Sequence, residues 1–330
     1  MKKILMIITV MLLLVAFAGN AHAANDCLWG MSGMTMELQN DCTTDETLFI
    51  PDDYTFDGNN YTVTAVDPDG GHFVGAVVAN EGDEAYVTHL NISASELSNA
   101  CDGGADRLRG IMFEGASGSI LHSSVVGINQ GPSGCQEGNA IEIRNAPFNG
   151  EHPDTMSVEV AHNEIYDYQK TGIVANGDVY VNIHHNKVGA SATQENLAAN
   201  SVQLGFGATG LLEQNQIEGN QWFGESDWVG TAVLIYAAND LEVSKNIIGG
   251  NSEIGIYNYG DDNVINNNKV FDDGADISHG DNFYDYGIGN YGSGNVITNN
   301  KVKGFEEPYE GVEGGKNKAI PGGQPGNPWF

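Results

Sequence analysis

A short recurring motif restricts the fold of this chain more than any other feature. The motif has an apolar residue, two further residues, an asparagine, one more residue and a second apolar residue. Its clear copies centre on Asn163, Asn186, Asn215, Asn246, Asn268 and Asn300, and weaker copies lie around Leu90 and Ser123. Repetition of this kind is typical of proteins built from stacked units, in which each unit contacts mainly its neighbours.

A second motif precedes each asparagine and predicts β-strands. It has a small residue, an apolar residue and then alternation of residue character, as in Gly172-Ile173-Val174-Ala175. Side chains that alternate with period two point to opposite faces of a strand. A unit this small cannot bury its apolar face alone, and stacking on the next unit buries it. The apolar position is filled elsewhere by Ile111, Ile141, Val202, Val233, Ile256 and Ile288.

The asparagine has a physical role in such a stack. Asparagine tolerates the left-handed backbone conformation of a tight turn. Its amide donates and accepts hydrogen bonds, so asparagines of successive turns can bond to each other and to the backbone. We therefore expect each coil to contain three short strands, as at residues 172–176, 180–185 and 187–188, with a tight turn at Asn186.

On these residues, the sequence resembles the right-handed parallel β-helix proteins of the pectate-lyase-like superfamily, with repeats of the PbH1 type. The similarity covers about residues 45 to 305, and Leu48-Phe49-Ile50-Pro51 is similar to the first coil of that fold. The resemblance implies an all-β fold: a single-stranded right-handed parallel β-helix of about eight to nine coils with an internal asparagine ladder. It implies less about activity, because the fold hosts lyases, hydrolases, epimerases, adhesins and inert stalks.

The N-terminal residues have the features of a secretory signal peptide. Lys2 and Lys3 precede an apolar run, and a small-x-small cleavage site ends at Ala23. We therefore expect a secreted protein, extracellular or periplasmic, without a lipid anchor or a membrane span. The predicted organisation is a signal peptide (1–23), an N-terminal cap with the first coil (24–60), the β-helix (61–305) and a C-terminal cap or tail (306–330).

The charge balance excludes two classes of partner. The 330 residues include 44 Asp and Glu against 13 Lys and Arg, a formal net charge of −31. Nucleic-acid phosphates and anionic membrane surfaces repel a chain of this charge. We therefore expect no nucleic-acid partner and no membrane insertion, and the sequence does not predict an oligomeric state.

The four cysteines predict disulfides. An exported protein matures in an oxidising compartment, and four cysteines permit three pairings. The sequence-local pairing joins Cys27 to Cys42 and Cys101 to Cys135. Zinc ligation is the less favoured alternative, because no C-x2-C spacing is present.

The long loops predict the position of a binding site. Insertions collect before the first strand of a coil, at residues 93–109, 129–139, 190–200, 220–230 and 271–286. Repeat proteins usually place long loops on their binding face, and in pectate-lyase-like proteins such loops wall a groove over the sheet of first strands. By alternation, the residues that face this groove include Glu142, Arg144, Asn176, Gln203, Tyr236 and Tyr257.

Four of the scarce cations lie beside these strands in three consecutive coils: Arg107, Arg109, Arg144 and Lys170. An arginine guanidinium binds a carboxylate through two parallel hydrogen bonds, which suits an anionic sugar. The alternative is structural, with Arg107 or Arg109 paired to Glu142 as a brace between a loop and the scaffold.

The leading hypothesis for function is a lyase that cleaves a uronate-containing polysaccharide by β-elimination. That reaction needs a base, a cation that stabilises an enolate-like intermediate, and an acid. We predict Arg144 or Lys170 as base or charge stabiliser and Tyr168 as acid. The predicted substrate-binding residues are Arg107, Arg109, Glu142, Asn176, Gln203, Tyr236 and Tyr257. The resemblance implies calcium as a cofactor, with Asp106, Glu114 and Glu137 as candidate ligands.

Two other functions fit the same scaffold. One is a non-catalytic extracellular β-helix, such as an adhesin or a glycan-binding or structural protein. The other is a glycoside hydrolase, with its carboxylates drawn from Glu114, Glu137 and Glu142. The outward tyrosines Tyr236, Tyr257, Tyr259 and Tyr291 can stack on sugar rings, or loops can cover them.

Histidines occupy one phase of the repeat. His162 and His185 directly precede ladder asparagines, and His122 has the same phase. A structural role is the favoured interpretation. A metal site is the alternative, because imidazole binds transition metals well.

Overall fold

The computed structural model describes residues 25–146, 154–224, 228–272 and 284–320. Within these ranges the chain winds through three sheets, and nine successive coils contribute one strand to each sheet in the same order. The predicted all-β parallel helix is therefore confirmed, and the 3-10 turn Gly104–Asp106 is the only helical segment of the described ranges. The predicted signal peptide lies outside them.

Sheet 1 collects the first strand of each coil. It has ten strands: Leu48–Ile50, Ala76–Asn80, Arg109–Glu114, Asn139–Asn145, Thr171–Gly177, Asn200–Gly205, Thr231–Tyr236, Ile254–Tyr259, Tyr286–Asn290 and Glu307–Glu310.

Sheets 2 and 3 complete each coil, and each has eleven strands. Sheet 2 contains Trp29–Ser32, Thr35–Leu38, Tyr54–Asp57, Glu84–Thr88, Ser117–Leu121, Met156–Ala161, Val179–His184, Thr209–Glu213, Leu241–Ser244, Val264–Asn266 and Val296–Thr298. Sheet 3 contains Cys42–Thr44, Thr62–Ala65, Asn91–Ala94, Ser124–Val126, Glu164–Tyr166, Lys187–Val188, Gln216–Glu218, Ile247–Gly249, Lys269–Phe271, Lys301–Lys303 and Lys318–Ile320.

The strands of successive coils pair in parallel and in register. Ile111 lies beside Ile141, and Ile141 lies beside Ile173, so the inward apolar residues form continuous rows through the core. The small residue of the motif has a steric cause: a Cβ atom on Gly172 would lie 2.6 Å from the carbonyl oxygen of Ser201. At the N-terminal end, Trp29–Ser32 and Thr35–Leu38 pair in the antiparallel sense and form a hairpin on sheet 2.

The repeated asparagines form a buried chain of hydrogen bonds inside the turn between sheets 2 and 3. The left-handed residue of each turn is the one before the asparagine, as at His185 with φ of 55°, so the expectation that the asparagine adopts this conformation is wrong. The backbone N–H and the Nδ2 of Asn163 both donate to Oδ1 of Asn186, at 3.0 Å each. The same Nδ2 donates to the carbonyl of Ile120 at 2.8 Å. This arrangement continues along the helix through Asn186, Asn215, Asn246, Asn268, Asn300 and Asn317.

Two disulfides lie in the N-terminal part of the chain. Cys27 is bonded to Cys42, and Cys101 is bonded to Cys135. The sequence-local pairing is confirmed, and a structural role for zinc at these cysteines is excluded because none of the four is free. Such bonds fit an oxidising extracellular compartment. In the described part of the chain, no helix is long and apolar enough to cross a membrane.

Candidate functional site

The outer face of sheet 1 brings together most of the residues predicted to face a groove. Two rows of side chains run along it, because every strand contributes in register. Row A consists of Glu114, Arg144, Asn176, Gly205, Tyr236 and Tyr259. Row B consists of Met112, Glu142, Val174, Gln203, Leu234, Tyr257 and Gly289.

A buried ion pair occupies one end of this face. Nε of Arg109 lies 2.5 Å from Oε2 of Glu142, and the two side chains are only 1% and 3% exposed. The guanidinium also donates to the carbonyls of Gly104, Ala105 and Arg107, which ties the 3-10 turn to the sheet. Arg109 is therefore the structural brace, and its prediction as a substrate-binding residue is corrected, since its donors point into the protein.

Glu142 is enclosed by donors. Asn139 Nδ2 donates to Oε2 at 2.9 Å, and Arg144 Nη1 donates to Oε1 at 3.1 Å. Burial alone would raise the pKa of this carboxyl, but the charge and hydrogen bond of Arg109, the hydrogen bond of Asn139 and the charge of Arg144 together outweigh burial and hold the pKa below its ordinary value. Glu142 is therefore ionised at neutral pH inside the scaffold, and its prediction as a substrate-binding residue is also corrected.

Arg144 is the arginine of row A, with a side chain 16% exposed. Besides Glu142, its guanidinium donates to the carbonyl of Ala146 through Nε, at 3.0 Å, and through Nη2. Arg144 lies between Glu114 and Asn176 in the row, so it carries positive charge on the outer face. Arg107 lies in the adjoining loop, where its Nε is buried and has no hydrogen-bond partner among the described residues.

Tyr168 does not reach the groove. Its side chain is fully buried in the core, where its hydroxyl donates to Ser201 Oγ at 2.9 Å and accepts from Asn220 Nδ2 at 3.2 Å. Burial raises the pKa of the phenol well above its ordinary value. The prediction of Tyr168 as the catalytic acid is corrected, because the hydroxyl has two buried partners and no exposed surface.

Lys170 has an unusual environment for a lysine. It precedes the strand Thr171–Gly177, and its ammonium donates to the carbonyl of Ala198 at 2.5 Å. In the described part of the chain no carboxylate forms an ion pair with it. Burial of the ammonium lowers the pKa of Lys170 to about 8. A lysine with this pKa exists partly as the neutral amine at mildly alkaline pH, which a general base requires.

The predicted calcium ligands are not gathered into one site. Glu137 is fully buried, and its two carboxylate oxygens accept the backbone N–H groups of Asp102 and Leu108 at 2.9 and 2.8 Å. In the described ranges, Asp106, Glu114 and Glu137 form no group with three ligand atoms within 4.8 Å. Calcium dependence stays a prediction, and this ligand set does not support it. The burial of Glu137 and Glu142 also removes two of the three carboxylates considered for a hydrolase.

Exposed aromatic rings occupy the other end of the face. We call Phe206, Tyr236, Tyr259 and Tyr291 the aromatic row, and their residues are 58%, 48%, 41% and 44% exposed. Tyr259 and Tyr291 stack on each other, with centroids 4.9 Å apart and planes 14° apart. Tyr236 is tilted by 56° from Tyr259 and by 61° from Phe206. Tyr236 and Phe206 therefore keep more of their ring faces open than the stacked pair.

Tyr257 of row B supports the aromatic row from beneath. Its hydroxyl lies 2.5 Å from the hydroxyl of Tyr259, and its ring packs edge-on against Tyr291 at 5.4 Å. Burial, followed by the hydrogen bond to Tyr259, raises the pKa of Tyr257 well above its ordinary value. Tyr257 therefore remains a neutral phenol that holds two rings of the row in place.

A notch separates the aromatic row from Arg144. Gly205 has no side chain at this point of row A, and a Cβ atom there would lie 2.8 Å from Oδ1 of Asn176. Gln203 Nε2 donates to the same oxygen at 3.4 Å. Asn176, Gln203 and Gly205 thus form a polar floor between the charged and the aromatic ends of the face.

Phe206 is the residue of this face that the sequence reasoning missed. It lies directly after the strand Asn200–Gly205, in the left-handed conformation with φ of 55°. The available signal was a bulky apolar residue between two glycines, Gly205 and Gly207, where a turn would ordinarily carry a small polar residue.

Comparison with known proteins gives a family-level match over part of the chain. Residues 152–315 match a family model described as right handed beta helix region. No curated protein is significantly similar to the chain.

Several solved structures are similar at low sequence identity. The periplasmic alginate epimerase AlgG has a TM-score of 0.41 and 10% identity, covering 89% of this chain and 78% of its own. DFA-IIIase from Arthrobacter chlorophenolicus A6, without its lid, has a TM-score of 0.37 and 10% identity, covering 86% and 63%. The Dettilon tailspike protein has a TM-score of 0.31 and 12% identity, covering 87% and 61%.

The chain thus spans less than two thirds of the DFA-IIIase and tailspike chains. These TM-scores are too low for any of the three proteins to indicate what this chain binds or does. The fold itself follows from the chain's own strands and from the family match. Because residues 152–315 match the right handed beta helix region and the described strands form three parallel sheets around one core, the chain is a right-handed parallel β-helix protein.

Proposed function

We propose that the chain is a polysaccharide-binding β-helix protein, and that it binds its ligand on the outer face of sheet 1 between Asn176 and Tyr291. The aromatic row is the observation that carries this proposal. Four large rings with 41% to 58% exposure lie next to one another on one face. Exposed apolar groups that are contiguous mark binding sites far more often than single exposed residues do.

The direction of the row favours a linear ligand. Neighbouring strands of a sheet lie about 4.8 Å apart, so the distance from Asn176 to Tyr259 is about 14 Å along the helix axis. A chain of sugar rings that follows the axis would meet the polar floor first and the tilted rings of Phe206 and Tyr236 next. The C–H faces of sugars pack against aromatic rings, while tyrosine hydroxyls and amides bond to sugar hydroxyls.

Binding to a panel of soluble neutral and acidic polysaccharides, measured by affinity electrophoresis and calorimetry, tests the proposal. We expect Tyr236→Ala to weaken the binding of the best ligand about tenfold, which corresponds to about 1.4 kcal/mol. Tyr180→Ala is the matched control, because Tyr180 is 41% exposed on sheet 2. The proposal is wrong if no polysaccharide binds, or if both variants lose affinity equally.

Cleavage of a uronate polymer by β-elimination is our second candidate, and Arg144 favours it. Its guanidinium lies beside the polar floor, where it would neutralise a uronate carboxylate and so stabilise the negative charge formed when the adjacent proton leaves. Lys170, with its lowered pKa, is the candidate base. No acid is assigned, since Tyr168 is buried.

Incubation with alginate, pectate and related polymers, with and without calcium, distinguishes the two candidates. A lyase produces unsaturated ends that absorb in the ultraviolet, and Arg144→Ala would abolish that signal. If polysaccharides bind but absorbance never rises in any of these polymers, binding without cleavage is the function.

We also propose that the protein is secreted, as the N-terminal sequence predicts. The two disulfides support this location, since they form in oxidising compartments. N-terminal sequencing of the exported protein would give Ala24 as the first residue. Retention of residues 1–23 in the mature protein would contradict the proposal.

A further inference from the structure

A column of histidines lies on the side of the helix where sheet 2 turns into sheet 3. His89, His122, His162 and His185 occupy the same phase of four successive coils, each in the left-handed conformation, with φ of 48°, 50°, 59° and 55°. Their rings stack face to face, with centroids 5.4, 4.9 and 5.0 Å apart along the column.

The turn itself does not require histidine. The next four coils place Gln214, Lys245, Asn267 and Asn299 at this phase, with nearly the same φ of 57°, 59°, 57° and 58°. Side chains of several chemical types are therefore compatible with this left-handed backbone conformation. The restriction of imidazole to four consecutive coils needs another cause.

A fifth imidazole joins the column at one level. His184 ends the strand Val179–His184, and its ring lies 5.1 Å from that of His185 and 6.0 Å from that of His162. Nδ1 of His184 is 2.8 Å from Nδ1 of His185. One nitrogen from each of His162, His184 and His185 lies within 4.8 Å of the other two, which we call the histidine triad.

A carboxylate fixes the orientation of one member of the triad. Nε2 of His184 lies 2.9 Å from Oε1 of Glu159. A carboxylate accepts hydrogen bonds, so this contact assigns the proton of His184 to Nε2 and leaves a lone pair on Nδ1, which faces the triad. Metal-binding histidines commonly use their second nitrogen in this way.

We propose that His162, His184 and His185 form a binding site for one divalent transition-metal ion, and that Glu159 orients His184 for it. Imidazole nitrogens suit Zn²⁺, Cu²⁺ and Ni²⁺, whereas Ca²⁺ and Mg²⁺ take oxygen ligands. In a tetrahedral zinc site with bonds of ~2.1 Å, ligand nitrogens are about 3.4 Å apart. Small rotations of the His184 and His185 side chains would open their 2.8 Å separation to that value.

The site is separate from the proposed sugar-binding face. The triad lies at the end of sheet 2 and in the turn that follows it, whereas the aromatic row lies on sheet 1. Three protein ligands leave a further coordination position for water or another donor. Metal binding is therefore expected to be independent of polysaccharide binding.

Calorimetric titration of the untagged full chain with zinc chloride tests the site. We expect one zinc ion to bind per chain and calcium not to compete. His184→Asn and His185→Asn should each weaken zinc binding more than tenfold, and Glu159→Gln about 10- to 100-fold. His89→Asn is the matched control, since His89 has the same phase but lies outside the triad, and it should change the affinity less than twofold.

Asparagine is chosen because Asn267 and Asn299 already occupy this phase, so the turn at position 185 should be preserved. Thermal melting without metal checks that each variant is folded. The proposal is overturned if zinc does not bind, or if the His89 control loses as much affinity as the triad variants.

A measurement on the unmodified protein covers the case in which a triad variant does not fold. The electron paramagnetic resonance spectrum of bound Cu²⁺ should show nitrogen coupling from imidazoles. A spectrum with oxygen ligands alone would overturn the proposal. Tyr236→Ala should bind zinc normally, so failure of the sugar-binding proposal is distinguishable from failure of this one.

Discussion

Arg109 and Glu142 form a buried ion pair, 2.5 Å from Nε to Oε2, that joins the turn Gly104–Asp106 to the outer face of sheet 1. A buried pair stabilises a fold only while both partners are present, because either charge left alone is strongly disfavoured in the interior. The pair therefore fixes the turn Gly104–Asp106 against sheet 1 at the charged end of the face.

Removing the charge of Glu142 should destabilise the protein severely. We expect Glu142→Gln to lower the free energy of unfolding by about 3–5 kcal/mol, because Arg109 would be left buried without a counter-charge. Glu164→Gln is the matched control. Glu164 pairs with Lys187 at 2.8 Å, but both side chains are more than half exposed, so the expected loss is at most about 1 kcal/mol. Chemical denaturation of both variants measures the difference, and equal losses would contradict the prediction.

The same pair should make stability fall in acid. Burial raises the pKa of Glu142, but Arg109, Asn139 and Arg144 together outweigh that effect, and the native pKa lies below the ordinary value of 4.5. The stabilisation is therefore complete above the unfolded-state pKa and is lost as the pH falls through the lower native value. Melting temperatures measured from neutral pH to below pH 4.5 should show a decline that Glu142→Gln reduces. A decline of the same size in the variant would show that other carboxyls cause it.

Lys170 should make stability rise with pH on the alkaline side. Its native pKa of about 8 lies below the unfolded value of 10.5, so the unfolded state binds more protons between these two values. Stability therefore rises with pH in this window, by about 2 kcal/mol from about pH 7 to about pH 9.5. Lys170→Met retains the length of the side chain and removes the titration. Chemical denaturation at both pH values should show that the free energy of unfolding rises more with pH in the parent protein than in the variant. An equal change in the two proteins would contradict the prediction.

Each asparagine of the buried ladder should contribute measurably to the stability of the protein. Asn215 accepts from the backbone N–H and the Nδ2 of Asn186 at 2.9 and 3.0 Å, and it donates to Ile183 O at 2.9 Å. Asn215→Ala leaves these buried groups without partners, and we expect a loss of about 2–3 kcal/mol. Gln216→Ala, at the neighbouring exposed position, should change stability by less than about 0.5 kcal/mol. Thermal and chemical unfolding measure both, and a small loss for Asn215→Ala would contradict the prediction.

The periodic features could be predicted from the sequence because each has a local physical cause. Alternation assigned the inward residues such as Ile141 and Ile173, and the outward residues such as Asn176 and Tyr236. Short sequence separation favoured both disulfides. These assignments need only the strand period and the in-register stacking of coils.

The sequence could not decide between the roles left open for individual polar residues, because these roles depend on how loops cover the coils. Alternation places Glu142 on the outer face, but the turn Gly104–Asp106 brings Arg109 over it and buries both. Tyr168 lies before the strand Thr171–Gly177, so the alternation of the strand does not predict where its side chain points. The absence of a side chain at Gly172 leaves room for the Tyr168 ring, since a Cβ atom there would lie 3.1 Å from Tyr168 Cε1.

The variable spacing of the ladder asparagines has a mechanical consequence. Successive members are separated by as few as 17 residues, between Asn300 and Asn317, and by as many as 32, between Asn268 and Asn300, yet each pair is joined by the same hydrogen bond of about 3 Å. The rise per coil is therefore set by the backbone, at about 4.8 Å, and not by the amount of chain in the coil. Loops can therefore lengthen without changing the spacing between coils. Deletion of one whole coil would shorten the β-helix by about 4.8 Å and leave the spacing of the other coils unchanged.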